Sequence, residues 1–489
     1  MLWLALHFPR LPLEVFSRGT ASSEPQAICQ SSGNKAHVLI CNAPAASLGV
    51  RPGMPLRAAC ALAENLTLYP RDDVLEQEAL KQIAAWSTQF TSLVSLSFPQ
   101  AVLLEVGGSL SMFGSADKLL NEIRDGLGEL GYQVMVAIAP TPLAALWLAR
   151  ADRVEIVEQT ALLASMLGDL PLSHLRLGEK QLRSLEGMGL QFLADLVRLP
   201  RDGLTRRLGK DLVLLLDRAL GRAPDPQKPY VPPHRFRSRL LLPAEADNVE
   251  ALLFAMRRML AELGGMLLGC GSGVQELSIQ LIHRDEQADR DEKDVTHIDL
   301  KLSALSRDPE HLVVVLRERL ERVTLEAPVI EIGMAADTIL PLASHPRDLF
   351  AGKGEGEQDW QSLLERLRAR LGEEAVHGLR QVAEHRPERA WNSAAVGDSG
   401  RNTRTPVFAT RPLWLLDEPV PLVTNDEGRP RFHGSLQLDP DRERIESGWW
   451  DGDDVARDYF VARNTRGLRL WVYRELRDQR RWYLHGIFG

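Results

Sequence analysis

The feature that most limits what this chain can fold into lies between residues 234 and 342, where apolar periodicity alternates between two and 3.6. HRFRSRLLL, VQELSIQLIHR, THIDLKLS and APVIEIGMAA carry strand periodicity. NVEALLFAMRRMLAELGGML and PEHLVVVLRERLERV place apolar residues on one helical face. The order is β-α-β-β-α-β, which makes a complete small α+β unit. A proline-rich stretch, APDPQKPYVPP at 223–233, precedes them and reads as a linker. Residues 234–342 therefore form a small α+β domain, and the rest of the chain must build its own cores. At 489 residues the chain is too long for a single one.

Upstream, residues 1–16 read as a strand and its exit turn, and AHVLICN at 36–42 as another strand. Residues 43–63 read as two small-residue helices about a Gly-Val-Arg-Pro-Gly turn. A helix follows at 75–90, then a hairpin at 92–108 interrupted by Pro99, a helix at 115–130 and a strand at 132–139. This predicts one α/β layer, residues 1–16 and 75–161, with a helical insert at 17–74. Residues 162–222 read as short helices with leucines at helical spacing around Gly187-Met188-Gly189. Beyond 342 the chain is polar and flexible through 343–359, helical over 360–380, and of disordered composition at 392–406. From 407 to 489 it reads as β-strands rich in Trp, Tyr and Arg.

This order resembles the Y-family translesion DNA polymerases: palm (1–16 and 75–161), fingers (17–74), thumb (162–222), linker (223–233) and little finger (234–342). Three segments carry the resemblance locally. VRPGMPLRAACAL (50–62) is similar to the fingers, VAIAPTPLAALWLA (136–149) to the palm segment written G-I-A-x-N-K-x-L-A-K, and LRSLEGMGLQFLADLVRLP (182–200) to the thumb's helix-hairpin-helix. The implied fold is a right-hand polymerase architecture, α/β and α+β, with a C-terminal β-rich extension.

Nucleotidyl transfer uses two divalent ions, and Mg²⁺ is held by carboxylate oxygens. The family supplies an aspartate on the first strand and an Asp-Glu pair in the palm hairpin. Hand alignment places Leu6, Pro99 and Gln100 at those three positions. The fingers motif Y-x-A-R-x-x-G falls on Ala43-Pro44-Ala45-Ala46-Ser47-Leu48-Gly49, so Ala43 and Ala46 replace the triphosphate-contacting Tyr and Arg, and Leu146 replaces the palm lysine. The expectation is a polymerase-like body with no catalytic residue, metal or cofactor. The nearby acids Glu14 and Glu105 read as surface or sheet-edge residues; a displaced metal site built from them is the rival reading.

Loss of chemistry leaves DNA binding open. Gly187 and Gly189 would let hairpin N–H groups meet a phosphate, and Arg206, Arg207 and Lys210 follow in the same module. Arg235, Arg237 and Arg239 alternate along one strand, so all three share a face. A plain helical connector and an exposed sheet face are the bland readings of the two features. Missing carboxylates together with a C-terminal extension resemble the ImuB subgroup of the family. That resemblance implies a DNA-damage-induced mutagenesis role with four partners: the sliding clamp, a RecA-like ImuA subunit, a DnaE-type polymerase and primer–template DNA. A clamp-binding peptide is expected at Arg347-Asp348-Leu349-Phe350, with Pro346 where the clamp motif has glutamine. A partner-binding region is expected at 360–489. A purely protein-binding scaffold is the second rival.

Composition fits these expectations. Hydrophobic content of 44% and charged content of 25% are ordinary for a globular chain, and no apolar run is long enough to span a bilayer. A cytoplasmic protein without membrane contact is expected. The four cysteines, Cys29, Cys41, Cys60 and Cys270, form no C-x-x-C pair. A net charge of −8 excludes a uniformly basic nucleic-acid coat and leaves room for local basic faces.

Overall fold

The computed structural model describes residues 1–18, 24–32, 35–284, 295–325, 327–342, 354–394, 411–477 and 480–488. It divides into two compact units, Met1–Arg370 and Leu371–Gly489.

Strand β1 (Trp3–His7) leads into helix α1 (Leu11–Ser17), where an exit turn was expected. Pro12 lies in the first turn of α1, where its missing N–H has no helical partner to lose. The insert that follows is α/β and not helical. It contains β2 (Gln26–Ser32), β3 (Lys35–Cys41), α2 (Ala43–Ser47), α3 (Leu56–Leu62) and β4 (Thr67–Pro70), with sheet order β3-β2-β4. Asn42 pins this sheet to α2. Its side-chain oxygen accepts from Ala45 N at 3.0 Å and Gln26 N at 2.9 Å, and its Nδ2 donates to Glu24 O at 2.8 Å.

The chain then forms α4 (Asp73–Ser87), the hairpin β5 (Val94–Ser97) and β6 (Ala101–Glu105), α5 (Leu110–Phe113), α6 (Ala116–Glu129), β7 (Met135–Ala139) and α7 (Pro142–Arg150). The palm sheet runs β5-β6-β1-β7, antiparallel throughout. Period two sorts its side chains. Leu2, Leu4, Leu6 and Phe8 join Val102, Leu104, Val136 and Ile138 in a core with residues of α4 and α6. Trp3 and Ala5 join Ala101, Leu103, Ala137 and Ala139 in a core with α7 and the thumb leucines.

The thumb consists of α8 (Leu163–Gly168), α9 (Glu179–Gly187), α10 (Leu193–Val197), α11 (Arg201–Leu208) and α12 (Lys210–Ala219). The little finger is β8 (Phe236–Ala246), α13 (Val249–Gly269), β9 (Ser272–His283), β10 (Val295–Ser306), α14 (Pro309–Leu320) and β11 (Val329–Ala336), in sheet order β10-β9-β11-β8, with β12 (Ile339–Pro341) paired to β9. This is the expected β-α-β-β-α-β order. Helix α13 lies against α4 so closely that a Cβ on Gly265 would stand 2.2 Å from Trp86 Cδ1, and one on Gly269 would stand 2.0 Å from Thr88 Oγ1. Glycine is what admits that approach. Helix α15 (Gly354–Leu371) meets the little finger through Glu365, which accepts from Ser303 N at 2.8 Å and bonds His311 Nε2 at 2.5 Å.

The second unit is β-rich, as expected from 407 onward; the helix expected over 360–380 instead ends at Leu371, and Gly378–Gln381 is a strand. A small pair, β13 (Gly378–Gln381) and β14 (Trp391–Ala394), precedes β15 (Trp414–Thr424), β16 (Pro430–Arg431), β17 (Gln437–Ser447), β18 (Val455–Arg463), β19 (Arg469–Glu475) and β20 (Trp482–Ile487). These last six form one sheet in the order β16-β15-β20-β19-β18-β17. Leu436, Ala462, Leu470, Val472 and Leu484 make one of its cores; Ile445, Val455, Tyr459, Trp471 and Tyr473 make the other. Arg386, almost fully buried, bonds Asp451 Oδ2 at 2.6 Å and Glu384 Oε2 at 2.8 Å.

Candidate functional site

The palm hairpin turns at Phe98-Pro99-Gln100, with a cis Phe98–Pro99 bond, against the C-terminal end of β1. Gln100 O accepts from Phe8 N at 2.8 Å and lies 3.1 Å from His7 Nδ1. Arg176, in a left-handed conformation at the end of a thumb turn, donates to Gln100 Oε1 at 2.5 Å. Arg150, the last residue of α7, donates from Nη1 to His174 O at 3.4 Å, while its buried Nε has no partner among the described residues. Palm and thumb thus bring an imidazole and the Arg176 guanidinium to one turn, with Arg150 bonded to the same thumb segment through His174 O.

The electrostatics follow from that crowding. Burial, opposed by the Gln100 backbone contact and joined by the Arg176 and Arg150 charges, lowers the His7 pKa to about 4. The ring is neutral at physiological pH. Burial and then the Arg176 charge bring Arg150 down to about 10, and burial followed by Arg71 lowers Arg176 as well. Arg71 itself is occupied, with Nε 2.8 Å from Glu76 Oε1 and 3.1 Å from Asp73 Oδ1.

Leu6, expected beside Pro99 and Gln100, is not there. It is fully buried on the opposite face of β1, under α4 and α6. The alternation Leu2, Leu4, Leu6 against Trp3, Ala5, His7 forces this, and His7 is the residue that meets the turn. Leu146 is also a core residue, packed between palm and thumb. Ala43 and Ala46 lie on α2; the Ala46 carbonyl accepts from Arg51 Nη1 at 3.0 Å, so an arginine five residues later reaches that position. The two acids do not meet. Glu105 pairs with Trp3, at the other end of β1 from His7, and its Oε1 accepts from Leu2 N at 3.1 Å and Gly107 N at 3.2 Å. Glu14 accepts from Gln133 N at 3.0 Å, and burial pushes its carboxyl up to about 7.

Mg²⁺ would find poor donors at this junction. It calls for several hard oxygens in near-octahedral array. The turn offers one amide oxygen already bonded to a guanidinium, a neutral imidazole and two cationic side chains, so the residues present do not fit the metal pair.

The thumb hairpin differs from expectation in its N–H groups. Met188 N, Gly189 N and Leu190 N donate to Leu185 O, Glu186 O and Leu185 O, and Asp195 Oδ2 accepts from Gln191 N and Phe192 N at 3.1 and 3.0 Å. Gly187 is the last residue of α9, and Gly189 makes the turn at a φ of 77°. The two glycines shape the hairpin, and the N–H groups of residues 188–192 are all taken within it. Arg206, Arg207 and Lys210 are exposed nearby, and Arg207 Nη1 rests 3.4 Å from Met188 Sδ.

Arg235, Arg237 and Arg239 do share one exposed face, with Phe236, Ser238 and Leu240 buried beneath. They line a cleft of about 750 Å³ together with Arg18, Lys81 and Gln82. Arg237 pairs with Asp337 at 3.3 Å and Arg239 with Glu331 at 3.9 Å, contacts weak enough at the surface to be exchanged. The clamp-peptide candidates Arg347, Asp348, Leu349 and Phe350 lie outside the described residues.

Comparison with known proteins gives the class. Residues 17–150 match the impB/mucB/samB family. The chain is 26% identical over 477 residues to Protein ImuB of Caulobacter vibrioides, covering 90% of this chain and 100% of that one. It is 30% identical over 202 residues to DNA polymerase IV of Yersinia pestis, covering 40% of this chain and 57% of that protein. Among solved structures, DinB from Sulfolobus solfataricus is similar at 19% identity and a TM-score of 0.39, and a ternary complex of Dbh DNA polymerase at 20% and 0.40; each likeness covers 70% of this chain and all of the other. These scores are low, and the class rests instead on the domain order, the family match and the full-length relative. Together they define a protein with a Y-family DNA polymerase-like body and a β-rich C-terminal extension. Within that class the chain is similar to Protein ImuB of Caulobacter vibrioides over the whole of that protein's length. No helix among the described residues is long and apolar enough to cross a membrane.

Proposed function

We propose that this chain is a non-catalytic polymerase-like adaptor in DNA-damage-induced mutagenesis and translesion synthesis. It holds primer–template DNA and leaves nucleotidyl transfer to a separate DnaE-type polymerase, assembling with the sliding clamp and an ImuA-like, RecA-related partner. One observation supports the reading: at the hairpin turn that aligns with the family's carboxylates, Gln100 meets His7 and Arg176, and the charge of Arg150 also acts on His7. Positive charge there opposes divalent ions. The separation of Glu14 from Glu105 also counts against a displaced metal site.

DNA contact falls to side chains. Arg206, Arg207 and Lys210 on the thumb and Arg235, Arg237 and Arg239 on the little finger suit a phosphate backbone, which fixes position without reading sequence. A salt titration of primer–template binding tests this. The purified protein should bind with a steep salt dependence, and Arg206→Gln with Arg207→Gln should flatten the slope by about two. Salt-independent or absent binding would favour a scaffold that touches only proteins. Clamp pull-down with Leu349→Ala and Phe350→Ala tests the tether, which should lose the clamp while DNA binding persists. Deleting 372–489 should release the ImuA-like partner and leave the first unit folded.

A further inference from the structure

The cationic junction also has a positive use, one that rests on the reading that no metal binds there. We propose that Arg150 and Arg176, beside Gln100 on the turn that His7 anchors, form a metal-independent phosphate site, in which guanidinium N–H groups take the place of divalent ions as the counter-charge to a phosphate oxyanion.

Four observations support it. First, the charges acting on Arg150 and Arg176 are those of other arginines: Arg176 on Arg150, and Arg71 on Arg176. Like charges are costly to hold together without an anion to share, yet Arg71 is neutralised by Glu76 and Asp73 while these two have no carboxylate partner among the described residues. Second, Arg150 keeps a buried Nε–H with no acceptor. A buried guanidinium donor without an acceptor calls for a ligand or water; five other arginine Nε atoms among the described residues share this state, so the feature supports a phosphate here only beside the like-charge cluster. Third, among the described residues Arg176 is tied at one point, by Gln100 Oε1, which leaves most of its five donors to grip an oxyanion. Fourth, His7 is neutral and its one ring N–H is spent on Gln100 O, so it adds no charge to the cluster and anchors the turn that carries Gln100.

The shared chemistry is a phosphate carrying negative charge. It can come from the triphosphate of a free nucleotide or from a diester of bound DNA, and two arms of one experiment separate these. Each uses the full chain in EDTA, as wild type, Arg176→Gln and Arg150→Lys; Arg176 reaches the surface and makes one side-chain hydrogen bond among the described residues, so its substitution should leave the fold intact by circular dichroism. In the first arm dATP is titrated by calorimetry. In the second, primer–template DNA is titrated across a range of salt. The proposal expects one arm to bind without metal and to weaken about tenfold in Arg176→Gln. In the DNA arm the salt slope should also fall by about one. Arg150→Lys, which keeps the charge and loses the fork, should show a smaller loss. Unchanged affinity in both arms, or binding that requires Mg²⁺, overturns it. Primer extension by the wild type would instead overturn the non-catalytic reading, so the two failures are distinguishable.

Discussion

Arg18 and Glu262 tie palm to little finger across a buried contact, and breaking it should cost more than a surface ion pair does. Arg18 Nη1 lies 3.5 Å from Glu262 Oε2, with side chains 6% and 3% exposed. Glu262 also accepts from Ser238 Oγ at 3.1 Å, and Arg18 Nη2 donates to Gln82 Oε1 at 3.1 Å with its guanidinium over the Tyr132 ring. At 3.5 Å and an effective dielectric of about 20, the gross attraction is about 5 kcal/mol. Desolvation takes back several kcal/mol per ion, so the intact pair is close to neutral for stability. Burial still pushes the Glu262 carboxyl up despite its partner. The asymmetry is what can be measured. Arg18→Met or Glu262→Met alone strands a buried charge and should cost about 3–5 kcal/mol, whereas the double variant should recover most of that loss. Urea unfolding of the full chain, with hydrogen exchange over Val249–Gly269, reads both. Single variants within about 1 kcal/mol of wild type, or a double variant equal to the sum of the singles, would refute the reasoning.

Further outcomes follow from other contacts. Glu14 has a folded pKa of about 7 against an ordinary 4.5, so between those values the native state holds its proton more firmly than the unfolded chain. Stability therefore falls as pH rises through that window, by about 3 kcal/mol in all; Glu14→Gln should raise Tm at pH 8 and change it little at pH 4.5. Gly265→Ala drives a methyl into Trp86 and Gln89 and should cost about 1–3 kcal/mol, visible as faster exchange in α13 and α4. Arg386→Met leaves Glu384 and Asp451 without their buried counter-ion, and should lower the melting of the second unit while the first melts as before, which calorimetry resolves.

How much was legible in the sequence depends on whether a residue's role is local. The little finger was readable because its strands and helices are long and strongly periodic, and Arg235, Arg237 and Arg239 share a face for that reason alone. The fingers were misread as helical because β4 is four residues long and half-buried, and because β2 carries polar residues at Gln26, Gln30 and Ser31. Leu6 was misplaced by one position in a hand alignment. Period two in Leu2-Trp3-Leu4-Ala5-Leu6-His7 already assigned His7 to the other face, so that signal was present and unused. The thumb glycines were correctly placed in a turn, but capping by Asp195 depends on side-chain geometry that no motif records. Arg150 and Arg176 had no signal at all: they come from separate elements and meet only through the packing of α7 and the thumb onto the palm sheet.

The most direct test is primer extension by the purified protein with Mg²⁺ and with Mn²⁺, run beside primer–template binding in the same buffers. The account predicts a bound primer–template and no added nucleotide with either metal. Extension by even one nucleotide, lost on Glu14→Ala or Glu105→Ala, would contradict it and mean that a working metal site lies elsewhere in the palm.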